Sequence, residues 1–293
     1  MIKIGTHSGN FHADDVFAIA ALSFIHPEYE IIRSRDEEIL TQCDYLVDVG
    51  GVYDHENKIY DHHFKNGPAY EDGLTMSSVG LIWKHYGEAV CGNQAIADRV
   101  CQKLIRSLDA NDNGVTLSEP VEDNFGVTEV SISGIIAIMN PPGLKDVDEV
   151  FCSEVIRAKT ILEAFIAKAK HWYNSKAEVD GVLAKAVVEK RQYIEVTENC
   201  NWMEHLLNNP DGKNILYACY PNGPKWYART VSVIPKSFEA RKDFPKEWAG
   251  LRDAEFSKVA DIPDGIFCHH GLFICGAGSR ESIMKLLDLA IKA

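Results

Sequence analysis

Short apolar blocks alternate with polar ones over the first 115 residues, and their spacing predicts strands and helices in turn. Three apolar runs predict buried strands, at Ile2–Thr6, Tyr29–Ile32 and Tyr45–Val49. Three segments with apolar residues at helical spacing predict helices, at Asp14–Phe24, Ser78–Tyr86 and Gln94–Leu108. This order predicts an α/β domain whose sheet is mostly parallel, with helices on both faces. Ligands of such sheets bind beyond the carboxyl ends of the strands.

The pattern changes in the second half of the chain. A polar, turn-rich segment at Val115–Gly126 and the sequence Asn140-Pro-Pro-Gly143 precede a long helical segment, Val150–Val179. Short apolar runs then predict strands at Leu183–Val188, Ile194–Thr197, Ile215–Tyr220 and Trp226–Val233, and a last helix at Ser282–Ile291. We therefore expect a first domain at 1–149, a connecting helix at 150–180 and a smaller α+β domain at 181–293.

Composition and cysteine usage narrow the class of protein. The chain has 293 residues, of which 46% are hydrophobic and 25% charged, as in ordinary globular proteins. We find no window near the roughly 18 consecutive apolar residues that cross a bilayer, and no signal peptide. The eight cysteines form no C-x-x-C pair, so we expect reduced, mostly buried thiols. The expected location is cytoplasmic.

The net charge of −13 first argues against a nucleic-acid partner. The charge is uneven, however. Residues 1–180 carry 15 Lys and Arg against 29 Asp and Glu, whereas residues 181–293 carry 15 against 14. An acidic half joined to a neutral half fits a cation site in the first and anion contacts in the second. An acidic surface that serves solubility would give the same numbers, so charge alone does not decide.

The first candidate site lies where strand Ile2–Thr6 ends and the first helix begins. There His7, His12 and Asp14 can converge above the sheet, and imidazole with carboxylate suits Mn²⁺, Zn²⁺ or Fe²⁺. The alternative is that Asp14 caps the helix and the histidines are ordinary loop residues.

Three further clusters of acids and histidines follow strands or close a helix. They are Asp48-Val49-Gly50-Gly51, Tyr60-Asp61-His62-His63 and Asp109-Ala-Asn-Asp112-Asn-Gly114. Asp48 and the Asp-Asn-Gly sequence are also typical of turns. Adjacent histidines behind an acid are harder to explain in this way, because burying them is costly unless something pairs with them. A two-metal site needs about seven ligands with a bridging carboxylate. The four clusters supply such a set: His7, His12, Asp14, Asp48, His62, His63 and either Asp109 or Asp112.

Taken in order, the four clusters resemble the motifs of the DHH phosphoesterase superfamily. The matching sequences are H-x-x-x-x-H-x-D at 7–14, V-D-V-G-G at 47–51, Y-D-H-H at 60–63 and L-D-A-x-D-N-G at 108–114. Within the superfamily the chain is most similar to the Myg branch of DHH-like 3′–5′ exonucleases. The resemblance runs over essentially the whole chain and includes Trp248-Ala-Gly-Leu-Arg252 and Phe267-Cys-His-His-Gly-Leu-Phe273.

The resemblance implies a two-domain enzyme with metal in the first domain and substrate held between the two. It implies metal ligands at His7, His12, Asp14, Asp48, His62 and the fourth-motif acid, for which we rank Asp109 above Asp112, and catalytic roles for Asp48, His62 and His63. His12 stands where many relatives carry an Asp, which favours two Mn²⁺ over Mg²⁺, with Zn²⁺ as an alternative. His55 is expected beside the ligands. Asp48 is expected between the two ions, and without metal it should crowd against Asp14 and the fourth-motif acid.

In the second domain the resemblance implies a substrate grip. Its candidate residues are Arg229, Arg252, His269, His270, Gly276, Gly278, Ser279 and Arg280. The last four form a glycine-rich loop before a helix, where amides and the helix dipole can hold phosphate, although such a loop is also common architecture.

The function that we expect is metal-assisted hydrolysis of nucleic-acid phosphodiesters, as a 3′–5′ exonuclease on RNA. One of the two adjacent histidines would contact the phosphoryl oxygen. The expected partner is single-stranded RNA or a short oligonucleotide. Two alternatives stay open, namely hydrolysis of pyrophosphate or a small dinucleotide, and a non-catalytic metal- or nucleotide-binding protein. The sequence leaves open whether the chain forms a homo-oligomer.

Overall fold

The computed structural model describes residues 1–118, 127, 129–235, 237 and 239–293 of the chain. The chain folds into two compact units, Met1–Lys170 and His171–Ala293. The predicted turn-rich segment is only partly covered, because residues 119–126 lie outside the described residues.

The first unit is built on a five-stranded sheet. Its strands are β1 (Ile2–Thr6), β2 (Tyr29–Arg33), β3 (Tyr45–Val47), β4 (Tyr53–Asp54) and β5 (Ile59–Tyr60). The spatial order is β2-β1-β3-β5-β4, with all neighbours parallel except β4, which runs antiparallel to β5. Parallel β1, β3 and β5 therefore end at the same edge of the sheet.

Helices cover this sheet and form the core with it. In the first unit they are α1 (Ala13–Ile25), α2 (Glu37–Leu40), α3 (Ser78–Cys91), α4 (Gln94–Val100), α5 (Arg106–Asp112) and α6 (Ile132–Met139), with a π-helical turn at Cys101–Ile105 between α4 and α5. Ile4 of β1 is buried in one core with Phe17 of α1. Gly5 faces the other way, because a Cβ built on it would meet Leu40 of α2 at 3.1 Å. The sheet is therefore covered on both sides, and the predicted α/β class is confirmed.

A single long helix, α7 (Val147–Val188), contains the division between the two units. It is longer than the predicted helical segment. The remaining elements are β6 (Tyr193–Glu195), α8 (Trp202–Asn208), β7 (Tyr217–Asn222), β8 (Lys225–Thr230), α9 (Asp253–Ala260), β9 (Gly265–Cys268), β10 (Ile274–Ala277) and α10 (Arg280–Lys292). In the described part of the chain, no helix is long and apolar enough to cross a membrane.

The second sheet has the order β6-β7-β8-β10-β9 and is antiparallel except for β6 and β7. One of its faces packs on α9 and α10. On the other face, the β6 and β7 half packs on the end of α7 and on α8. Strands and helices are thus mixed along the chain, which fits the predicted α+β unit.

The strand predicted at Leu183–Val188 is wrong, since these residues form the last turns of α7. Val179, Leu183 and Ala186 are buried in one apolar cluster at helical spacing. The apolar block around them is nearly continuous and fits a strand and a buried helix equally well. The helix forms because it buries these three side chains in the cluster.

Candidate metal centre

Histidines and acids gather where three parallel strands end. His7 follows β1, Asp48 directly follows β3, and Asp61 begins the Asp-His-His sequence after β5. Because β1, β3 and β5 are neighbours, their carboxyl ends bring these three loops together. Helix α1 adds Asp14 in its first turn. The sheet therefore assembles in space what the sequence separates by more than 50 residues.

Asp48 lies at the centre of this group. His7 Nε2 is 3.2 Å from its Oδ2, and His62 Nε2 is 3.2 Å from its Oδ1. Ser78 Oγ donates a hydrogen bond to Oδ1 at 3.0 Å. Asp48 has a φ of 57°, a left-handed conformation that is uncommon for residues other than glycine and often marks a functional site. Each of its two oxygens thus faces a different histidine.

His7 is buried between two carboxylates. Its Nε2 lies 3.3 Å from Asp15 Oδ2 as well as 3.2 Å from Asp48. Burial alone would lower the pKa of His7, but hydrogen bonds and charges from the two acids outweigh it and raise the pKa to about 10. Arg35 Nη2 lies 3.3 Å from the other ring nitrogen of His7. This corner of the site is held together by ion pairs even without metal.

His62 lies on the other side of Asp48 from His7 and is surrounded by acids. Its Nε2 lies 3.1 Å from Asp112, 3.2 Å from Asp48 and 3.6 Å from Asp14. Only 8% of the His62 side chain is exposed. An imidazole and three carboxylates gathered in this way supply the nitrogen and oxygen ligands that Mn²⁺, Fe²⁺ or Zn²⁺ take.

The ligand atoms form three overlapping groups, each compact enough to hold one ion. Within the described ranges these are His7, His12 and Asp48; Asp48, His62 and His63; and His12, Asp14 and Asp112. Asp48 is shared by the first two groups and His12 by the first and third. His12 itself is exposed at the start of α1. The predicted ligand clusters are thus brought together, with one shared carboxylate.

Buried polar atoms without a partner test whether these residues fit a metal. Among the described residues, Asp14 Oδ1 is buried and makes no hydrogen bond, and the buried Asp15 Oδ2 and His62 Nε2 meet their ion-pair partners only at 3.1–3.6 Å. Burial and the charges of Asp48, Asp112 and Asp15 also raise the pKa of Asp14 well above its usual value. A divalent cation would satisfy these atoms and neutralise the acids, so the donor set fits the expected metal.

A cavity of about 630 Å³ adjoins the ligands and extends from Ser8 and His12 past Asp48 to His63. Ligand pockets typically have volumes of about 300–1,000 Å³. The cavity is therefore large enough for part of a substrate beside the candidate ligands.

Comparison with known proteins identifies the family. The family model MYG1_exonuc, described as an uncharacterised protein family (UPF0160), matches residues 3–291. The chain belongs to this family. It is 32% identical to a MYG1 protein of Saccharomyces cerevisiae, over 99% of this chain and 95% of the relative. It is 30% identical to the human MYG1 exonuclease, over 97% and 84%. A MYG1 protein of Chlamydia pneumoniae is 32% identical over 99% and 97%. The resemblance to the Myg branch, predicted from the motifs, is confirmed.

The two acids of the fourth motif, Asp109 and Asp112, have different surroundings in this MYG1-family chain. Asp109 is fully buried and accepts hydrogen bonds from the Tyr70 hydroxyl, from the amide and hydroxyl of Ser77 and from the Gly80 amide, at 2.6–3.1 Å. A Cβ on Gly80 would lie 2.4 Å from Asp109, so only glycine admits this approach. Asp112 instead lies 3.1 Å from His62. Donors from the protein already occupy both Asp109 oxygens, so the structure favours Asp112 over Asp109 as the candidate ligand.

This division of roles predicts opposite phenotypes for two matched substitutions. Asp109→Asn places an amide N–H group against donors and should cost about 1–3 kcal/mol. That corresponds to a fall in melting temperature of about 2–4 °C per kcal/mol, with Mn²⁺ affinity retained. Asp112→Asn should weaken Mn²⁺ binding and leave the melting temperature in chelator nearly unchanged. Calorimetric titration and thermal melts of both variants check this, and loss of Mn²⁺ binding in Asp109→Asn alone would contradict it.

The two adjacent histidines also differ. His62 is enclosed by acids, whereas 61% of the His63 side chain is exposed. His63 Nδ1 lies 2.8 Å from Asp61 Oδ1, and the Gly51 amide donates to Asp61 Oδ2 at 2.6 Å. Asp61 therefore fixes the ring of His63 at the edge of the cavity.

Three residues at the site were missed by the sequence interpretation. Asp15 pairs with His7, and its position three residues after His12, whose amide donates to Asp15 Oδ1, was a visible capping signal. Arg35 and Ser78 gave no such signal, because each reaches the site only through the order of the strands and the packing of α3. Long-range contacts of this kind have no local pattern.

His55 takes no part in the three ligand groups. Its ring stacks on His85 at 3.6 Å, and its Nδ1 lies 2.8 Å from the Tyr60 hydroxyl. It belongs to an aromatic cluster at the β4–β5 edge of the sheet, rather than directly beside the ligands as expected.

The residues proposed to grip substrate all lie in the second unit. Arg229 of β8 and Arg252, which precedes α9, are exposed, as is His270, while His269 is half-buried. Gly276 is a buried residue of β10, so the predicted loop is reduced to Gly278 and Ser279, which caps α10. Arg280 makes a bidentate ion pair with Glu195, at 2.7 and 2.5 Å, which ties α10 to β6. The free guanidinium groups of this set are therefore those of Arg229 and Arg252 within the described ranges.

Proposed function

We propose that this chain is a metal-dependent phosphodiesterase that removes nucleotides from the 3′ end of single-stranded RNA and uses two Mn²⁺. The observation that carries the proposal is Asp48, whose two oxygens face His7 and His62 and which is common to two ligand groups. A carboxylate shared in this way suits two neighbouring ions. The open cavity beside it gives a phosphodiester access.

The residues divide into ligands and a substrate contact. His7, His12, Asp14, Asp48, His62 and Asp112 would hold the ions, since they make up the ligand groups with His63. Bound divalent ions would supply an activated water and positive charge for the phosphoryl oxygens. His63, exposed and oriented by Asp61, would donate a hydrogen bond to a phosphoryl oxygen as negative charge builds there.

The choice of RNA and of the 3′–5′ direction rests on the motif resemblance, and the name of the human relative supports exonuclease activity. Single-stranded RNA labelled at its 5′ end should shorten progressively with Mn²⁺ and stay intact with EDTA. Immediate release of a labelled mononucleotide would instead indicate the opposite direction. Equal turnover of DNA of the same sequence would remove the preference for RNA.

The same assay separates the two alternatives. Faster turnover of pyrophosphate or a dinucleotide than of a twelve-nucleotide RNA would favour a small-molecule phosphodiesterase. Tight Mn²⁺ binding without turnover of any of these substrates would favour a non-catalytic metal- or nucleotide-binding protein. Cytoplasmic location and homo-oligomer formation stay predictions, which cell fractionation and light scattering would test.

A further inference from the structure

A row of aromatic side chains crosses one face of the second sheet. Tyr220, Tyr227, Gly276 and Phe267 lie directly opposite one another on β7, β8, β10 and β9. Residues opposite one another point to the same face. The Tyr220 and Tyr227 rings are 6.3 Å apart with an interplanar angle of 22°, and the Tyr227 and Phe267 rings are 6.0 Å apart. We call these three rings the aromatic row.

On β8, β10 and β9 this face differs from the opposite one, which is ordinary core. On β7, Tyr220 packs against the apolar cluster of α7 and α8. The neighbouring residues Cys219, Ala228, Cys275 and Cys268 point the other way and are buried with α9 and α10. The rings of the aromatic row, in contrast, are only half-buried. An aromatic surface left partly open on a sheet indicates a ligand or partner.

Gly276 gives the row its shape. A Cβ at this position would meet the Phe267 ring at 3.1 Å and the Tyr227 ring at 3.2 Å. The missing side chain lets both rings lean over the central strand, so that they approach each other across two strand spacings. Packing against α9 and α10 does not explain this arrangement, because the rings face away from that core.

Positive charge flanks the row. Arg252 pairs with Phe267 in a β-bridge, and its guanidinium carbon lies 5.6 Å from the Phe267 ring centroid. Arg229 is two residues from Tyr227 on β8 and therefore points to the same face. Both arginines are exposed, and neither has a carboxylate partner among the described residues. Tyr220 and Arg229 also line a cavity of about 220 Å³ together with Asn199 and Asn222.

We propose that the aromatic row stacks the bases of single-stranded RNA while Arg229 and Arg252 contact its phosphates. Sheet-borne aromatic rings with adjacent cations are a common way to bind single strands, since every base offers a flat face. An apolar protein partner would not need two unpaired guanidinium groups at the rings. This inference rests on the proposed function, because it names where the same substrate is held.

Binding without turnover tests the inference directly. Anisotropy of a fluorescein-labelled single-stranded RNA of twelve nucleotides is measured in EDTA. Tyr227→Ala and Phe267→Ala should each weaken binding on the order of 5- to 100-fold. Tyr227→Phe should restore it, because a phenyl ring stacks as well. Tyr173→Ala is the matched control, an exposed aromatic residue on α7 outside the aromatic row, and should bind like the parent.

A second pair of variants guards against misfolding. Arg229→Gln and Arg252→Gln alter exposed side chains only, and together they should reduce the slope of log affinity against log salt by about 1.4. Unchanged binding in the Tyr227→Ala, Phe267→Ala double variant would overturn the inference. So would a large fall in melting temperature that Tyr227→Phe does not rescue, since that marks the face as a surface for packing protein.

The two proposals fail in different ways. If the parent binds RNA through the row but Mn²⁺ produces no hydrolysis, the inference holds and the proposed function fails. If the parent degrades RNA but the double alanine variant keeps the parental KM, the proposed function holds and the inference fails. Both proposals are supported if the double alanine variant loses kcat/KM for RNA but keeps it for bis(4-nitrophenyl) phosphate, which carries no base.

Discussion

Asp48→Asn should lower the rate of phosphodiester hydrolysis by several orders of magnitude. The substitution keeps the shape of the side chain but replaces one of the two oxygens by an amide nitrogen, which does not ligate a cation. Because the two oxygens face His7 and His62 separately, one of the two ligand groups that share Asp48 must lose its carboxylate. Steady-state turnover and calorimetric titration with Mn²⁺ measure the two losses. Near-normal turnover would show that Asp48 is structural.

In chelator, substitutions of Asp48 and Asp14 should change the melting temperature in opposite directions. Asp48 is paired with two histidines, which outweigh its burial and lower its pKa, so Asp48→Asn breaks buried ion pairs and should lower the melting temperature in chelator. Asp14 has a buried oxygen without a partner and three acidic neighbours. Asp14→Asn in chelator should therefore match or exceed the parent in stability. The crowding expected at Asp48 from the sequence thus falls on Asp14, and equal melting temperatures for the two variants would contradict this assignment.

Metal addition provides the control for this comparison. Mn²⁺ stabilises the parent by mass action and should stabilise either variant less. A variant that gains stability in chelator yet gains little from Mn²⁺ has lost a ligand rather than a structural contact.

The site clusters could be predicted from the sequence because each follows a strand or lies at a helix end. The alternation of apolar blocks placed His7 and Asp48 at strand ends, and parallel strands share their carboxyl edge. The short strand β5 before Asp61 was not predicted. The pairing of atoms within the site could not be predicted in this way. Whether Asp48 meets a histidine or another acid depends on strand order and on the left-handed turn at Asp48.

The roles of the two fourth-motif acids could not be predicted from the local sequence. Asp109 and Asp112 are three residues apart and lie on one side of a helix, so spacing cannot rank them. The π-helical turn at Cys101–Ile105 also shifts the helical phase before them, within a segment predicted as one regular helix. Only the donors from Tyr70, Ser77 and Gly80 assign Asp109 to the protein interior.

The aromatic row illustrates the same limit in the second unit. Tyr220 and Tyr227 lie on two predicted strands whose register the sequence does not give, and Phe267 lies on β9, a strand that was not predicted. Their alignment depends on which strands pair and on a glycine between them. The arginines of this unit were nominated by family resemblance, whereas the rings become visible only once the register is known.

His63→Ala should lower kcat by about 10²–10³-fold and leave Mn²⁺ affinity close to that of the parent. His63 is the exposed member of the adjacent pair, and Asp61 and the Gly51 amide fix its ring at the cavity edge. A donor that acts only when charge builds on the phosphoryl oxygen contributes to kcat rather than to ground-state binding, so KM should change little. Asp61→Asn is the control for orientation: it should lower kcat less than His63→Ala, because the ring stays present but is less firmly held. His62→Ala is the control for ligation and should weaken Mn²⁺ binding. If His63→Ala weakens Mn²⁺ binding as much as His62→Ala, then His63 is a metal ligand and the phosphoryl contact must come from another residue.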